Sequence, residues 1–284
     1  MPCEVPGPYY YGTLDYGALN LTIWKSRLSA NASQNKSRGE NREAFARAYS
    51  GRLRQARSLS RLAVGQAAGA GQPERAGLWE AGAAVREAFF GNAAEARKRA
   101  AAALELSKGR EVEYGAAFAL ALAGYSSSLT LANNLEKRFP EDTSIRFSYL
   151  PAVRARLALN SGEASKALEL LQAAVPSELG VPPSSMHGLF GALYSVYVRG
   201  QALLASRRGA EAAAEFQKIL DHRGIVVSDP VGALAGLQLA RAFVLEGDNV
   251  KAKGAYREFL RLWRDADPDI PIFREAKTES ARLN

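Results

Sequence analysis

A glycine followed five residues later by alanine recurs along this chain: Gly51 with Ala56, Gly91 with Ala96, Gly162 with Ala167, and Gly247 with Ala252. Twelve residues after each glycine stands another apolar side chain, in turn Ala63, Ala103, Ala174 and Phe259, and seven before it a small one, Ala44, Ala84, Ala155 or Ala240. A glycine turn between helical stretches, with small residues at fixed offsets, is the sequence form of a helix–turn–helix repeat. A single hairpin of this kind cannot bury its apolar face, so neighbouring copies must stack. The pattern predicts an all-α fold, an α-α superhelix of about six such repeats closed by a C-terminal capping helix.

Composition supports that reading. Of the 284 residues, 47% are hydrophobic, enough for a packed core. Much of that share is alanine, the strongest helix former and small enough to let helices approach closely. The lone cysteine, Cys3, excludes an internal disulfide framework. No apolar run reaches the ~20 residues of a membrane-spanning helix. The opening residues Met1–Pro8 carry neither the basic start nor the apolar stretch of a secretory signal, so a cytoplasmic protein is expected. The net charge of +8 is concentrated between Leu21 and Arg61, where ten Lys and Arg face only Glu40 and Glu43. Such a cluster can hold nucleic acid. No nucleic-acid motif accompanies it, and it is read as a solvated lead-in plus the polar face of one helix.

Residues 1–41 form a distinct basic segment, with a helix expected from about Leu14 to Leu28 and a loop after it. From residue 42 to 284 the helical pattern is nearly continuous. Helix pairs are predicted to turn at Gly51, Gly91, Gly124, Gly162 and Gly247. The fifth pair aligns only when Arg207 takes the glycine place, and the third carries Leu129 where alanine is usual. Ser177–Ser185 is the longest break inside the array, and Pro271 opens the last helix at a position that needs no N–H donor.

These offsets resemble the tetratricopeptide repeat over roughly residues 42–265, best at Gly247-Asp248, Ala252, Tyr256 and Phe259. Three segments, Phe139–Thr143, Ala213–Gly224 and Leu262–Pro271, look like the C-terminal repeat region of bacterial serine/threonine protein kinases of the eukaryotic-like type. That resemblance implies a regulatory repeat module acting on a catalytic domain in cis or in trans. The catalytic signatures themselves are missing: there is no Gly-rich phosphate loop, no Val-Ala-x-Lys strand, no Asp-Phe-Gly, and His222-Arg223-Gly224 lacks the catalytic aspartate.

No catalytic constellation, cofactor motif or metal-ligand spacing emerges. His187 and His222 are isolated, and Asp265, Asp267 and Asp269 start like a calcium loop but lack its glycine and final glutamate. The chain is therefore read as a non-catalytic interaction scaffold. In this repeat type the first helix of each pair lines the concave wall. Its inward positions include Tyr114, Phe118, Tyr149, Arg156, Tyr194, Tyr197, Gln201 and Arg241, a groove apolar toward one end and cationic-aromatic toward the other. Arginine pairs with carboxylates through two parallel bonds, and tyrosine gives contact area at low entropic cost. The expected partner is a protein or peptide with acidic groups or a free C-terminal carboxylate. The oligomeric state is left open.

Overall fold

Every alanine and apolar position of the glycine–alanine register is buried in the computed structural model of the chain, which describes residues 36–283, while the turn glycines Gly91, Gly162 and Gly247 are exposed. Ala44, Ala56 and Ala63 of the first copy, their counterparts around Gly91 and Gly162, and Ala240, Ala252 and Phe259 of the last lie between helices. No strand occurs among the described residues. The helix expected over Leu14–Leu28 lies outside them.

The repeats appear as helix pairs. The first helix, α1, spans 36–49 and pairs with α2 (Leu53–Gly69); α3 (Pro73–Phe89) pairs with α4 (Ala93–Leu106), and α5 (Arg110–Leu122) with α6 (Ser127–Arg138). A π-turn at Ile145–Tyr149 leads into α7 (Leu150–Asn160), whose partner is α8 (Ala164–Leu171). A short helix α9 (Pro183–Gly188) comes next, then α10 (Tyr194–Ala205) with α11 (Gly209–Asp221). The one-turn α12 (Arg223–Val226) precedes α13 (Pro230–Leu245), which pairs with α14 (Asn249–Leu262), and α15 (Pro271–Ala281) ends the array. Arg207 does stand in for the turn glycine, at φ +59° beside values of +75° to +87° at the five glycine turns. In the third pair the turn is one residue shorter, so Ser128 fills the buried slot and Leu129 faces solvent.

The two helices of each pair differ by burial. The first helices are enclosed nearly all round: α3 is buried without a gap from Ala76 to Phe89, and α5 from Val112 to Ala121. A helix apolar on all sides belongs inside. The second helices bury one stripe, as α2 does with Leu53, Ala56, Ser60, Ala63 and Ala67.

The superhelix closes on itself, a feature the sequence reading did not foresee. The α1–α2 turn seats against the α14–α15 linker. Trp263 donates its indole N–H to the Tyr49 carbonyl at 3.0 Å, and Asp267 its backbone N–H to the Gly51 carbonyl at 3.0 Å. Phe90 meets the Trp263 ring edge-on at 5.1 Å, and Ile272 N–H reaches the Phe90 carbonyl at 3.3 Å. The three linker aspartates flank this seam: Arg52 pairs with Asp265 at 3.1 Å, and Arg54 with Asp267 and Asp269 at 3.8 and 3.2 Å. Much of the basic cluster is thereby neutralised, since Arg47 pairs with Glu43 and Arg57 with Glu87. No helix among the described residues is long and apolar enough to cross a membrane.

Candidate functional site

Closure fills the space that an open superhelix leaves as a groove. Tyr114, Phe118, Tyr149, Tyr194 and Tyr197 are each no more than 2% exposed. This corrects the expectation that they line an accessible wall: with the ring shut, opposing first helices meet across its axis and aromatic side chains occupy the interior. Tyr114 stacks on Tyr149 with ring centres 3.7 Å apart, and Phe118 on Tyr194 at 4.7 Å. Phe89 stands edge-on to Tyr194 and Tyr197 at 5.2 and 5.4 Å. The segment after α9, which lies beyond the break expected over Ser177–Ser185, plugs one end. Its Phe190 is seated in a notch that Gly82 and Gly115 leave open, where a Cβ would stand within about 3 Å of the ring.

The polar ends of these tyrosines are mostly satisfied inside the core. Tyr149 Oη donates to Ser184 Oγ at 3.1 Å and accepts from the Ser184 N–H at 3.2 Å. Tyr194 Oη donates to Asp229 at 2.8 Å. Asp229 also caps α13 by accepting from the Val231 N–H at 3.0 Å. Burial pushes the Asp229 carboxyl up to about 7, although the hydrogen bonds from Val231, Tyr194 and Gly191 work against the shift. Burial likewise raises the phenols of Tyr114 and Tyr194 well above their usual range.

The other half of the predicted set does come together at a surface. Arg156, Gln201 and Arg241 sit near the C-terminal ends of α7, α10 and α13, around a cavity of about 150 Å³ that Tyr197, Gln238 and Glu275 also line. Arg156 Nη1 donates to Gln201 Oε1 at 3.1 Å, and Gln238 Nε2 to Tyr197 Oη at 3.1 Å.

The two arginines have different fates. Arg241 reaches Glu279 through two bonds of 2.8 and 2.9 Å and Glu275 at 3.3 Å, while Tyr256 Oη donates to Glu279 at 2.9 Å. Burial would lower the Arg241 pKa, but the bonds and charge of Glu279 outweigh it and the net shift is upward. Among the described residues Arg156 has no carboxylate partner, and its Nε is buried without a hydrogen bond. Burial lowers its pKa. The acids on α15 were the residues that sequence reasoning missed. Their signal was Glu275 and Glu279 four apart on one face of the last helix, the face turned toward the Arg241 row.

No family model matches this chain, and neither a curated protein nor a solved structure matches it.

Proposed function

We propose that the chain is a non-catalytic interaction scaffold, built of tetratricopeptide-type repeats, that recognises a carboxylate-bearing end of a protein partner at the mouth beneath α15. The observation that carries this reading is Arg156: a partly buried guanidinium whose hydrogen-bond partner is the neutral amide of Gln201, beside a cavity large enough for a carboxylate. A desolvated charge left without a counter-charge is unfavourable, and an incoming carboxylate would relieve it through a charge-assisted bond. Arg241 steadies the far wall through Glu279.

The test is a peptide array presented twice, with free C-terminal carboxylates and with amides, and probed with the wild-type chain and with Arg156→Met. Binding that requires the free carboxylate and weakens tenfold or more in R156M is expected. No binding, equal binding to both forms, or binding untouched by R156M removes the reading.

A further inference from the structure

At the opposite end of the ring lies a cavity of about 670 Å³, within the range of small-molecule sites. It opens where α3 and α5 begin, beside Arg38 and Arg42 of α1, and where α9 crosses the ring end, about 20 Å along α3 from the Arg156 mouth at 1.5 Å per residue. It is a different site from the one proposed above and does not depend on it.

Its lining combines unspent cations, unsatisfied acceptors and apolar surface. Arg38, Arg42 and Arg75 all face it. Arg38 and Arg42 make no ion pair among the described residues. Arg75 donates to the neutral amide of Gln72 and lies over the Trp79 ring at 6.0 Å. Burial lowers the Arg75 pKa and the nearby Arg38 charge lowers it further, the mark of cations held together with no anion between them. The acids of the lining have other ties: Glu74 accepts from Ser107 and Glu111 pairs with Arg110.

Asn41 is 2% exposed, and its Oδ1 has no hydrogen-bond partner among the described residues. Glu111 Oε2, with the Tyr149 phenol nearby, is buried and also lacks a hydrogen bond among them. Both are acceptors that call for a donor from outside. Leu78, Trp79 and Leu189 supply the apolar part of the wall. A bare inorganic anion would use only the arginines and would leave most of the cavity and both acceptors unmet.

We propose that this cavity binds a small ring-bearing organic acid, a phosphate or carboxylate attached to a flat apolar body with an N–H or O–H donor. The anionic group meets Arg38, Arg42 and Arg75 beside the N-terminus of α3, where the backbone dipole also favours negative charge. The ring lies against Trp79 and Leu189.

Calorimetry on the full chain with 3-indolyl phosphate, whose ring carries an N–H, and with inorganic phosphate and indole separates the contributions. Saturable one-to-one binding of 3-indolyl phosphate is expected, at least tenfold tighter than either fragment. Arg75→Met should weaken it tenfold or more. Arg42→Glu, at an exposed position that leaves the core intact, should do the same and keeps the test open if R75M does not fold. Three results would overturn the proposal: inorganic phosphate or indole binding as tightly as the conjugate, no saturable binding, or affinity unchanged in R42E. Loss in R156M rather than in R42E would assign the probe to the other end of the ring and overturn it equally.

Discussion

The ring seam can be tested by comparing glycines that are equivalent in the repeat but not in the closed molecule. Gly51, Gly162 and Gly247 share the same left-handed turn geometry, with φ of +76°, +79° and +75°. A Cβ added at Gly162 or Gly247 meets nothing within 4 Å, whereas at Gly51 it would stand 2.5 Å from Ala266 Cβ and 2.9 Å from the Trp263 ring. Alanine therefore carries the backbone penalty at all three positions, roughly 1–2 kcal/mol. Only at Gly51 does it also force apart atoms whose ordinary separation is about 3.5–4.0 Å, which adds about 1–3 kcal/mol.

The expected order of stability in urea is thus G162A and G247A alike, with G51A lower by that extra margin. Hydrogen exchange should localise the loss. The Asp267 amide, which donates to the Gly51 carbonyl, should exchange faster in G51A and stay protected in G162A. In an open superhelix the three glycines would be interchangeable. If G51A matches both controls within about 0.5 kcal/mol, the spread expected of equivalent sites, the closed ring is wrong and the aromatic interior argued from it falls too.

The core carboxylate gives a pH prediction. The folded pKa of Asp229, about 7, lies above its unfolded value near 3.8, so the folded state holds the proton more tightly. Its contribution is complete below about pH 4 and is lost as pH rises through 7, up to about 4 kcal/mol at 1.36 kcal/mol per unit. Asp229→Asn stays neutral throughout, so urea midpoints from pH 4 to 8 should fall in the wild type relative to D229N; parallel curves would refute the shift. Arg199 bridges Glu178 at 2.5 Å and Glu215 at 2.6 Å, with all three largely buried. Lys218 also reaches Glu178 at 2.9 Å and Glu215 at 3.5 Å, so Arg199→Met should cost about 1.5–3 kcal/mol, the worth of the lost charge-assisted bonds, and adding Glu215→Gln should restore part of it. A double variant no more stable than R199M would show that the arginine matters for packing rather than charge.

The helix pairs were legible because their signal is local. The glycine turn, the alanine five residues on and the apolar residue after twelve all lie within one hairpin; the glycines take the left-handed conformation of a turn, and the alanine and apolar residues are buried where the offsets placed them. Even the irregular fifth turn could be read, since the alignment required Arg207 to adopt a glycine conformation. Closure was not legible because it joins residues more than two hundred apart, Tyr49 with Trp263 and Arg54 with Asp267. Its traces were present as two unexplained features, a run of arginines near one end and three alternating aspartates near the other. Read separately, one suggested a solvated face and the other an incomplete calcium loop. Together they form the charged border of one contact.

Closure also accounts for which half of the candidate site survived. The inward positions Tyr114, Phe118, Tyr149, Tyr194 and Tyr197 meet their counterparts across the axis, and so became core whatever their chemical suitability for a partner. Positions near the helix ends face the rims. There Arg156, Gln201 and Arg241 remain at a mouth, and Arg38, Arg42 and Arg75 surround the larger cavity. An open superhelix offers its long inner wall to an extended segment, but a ring has only two ends, each the width of a few helix termini. Under the two proposals made above, recognition is of compact groups, a chain terminus at one end and a small acid at the other. An extended peptide threaded through the centre would have to displace the stacked tyrosines.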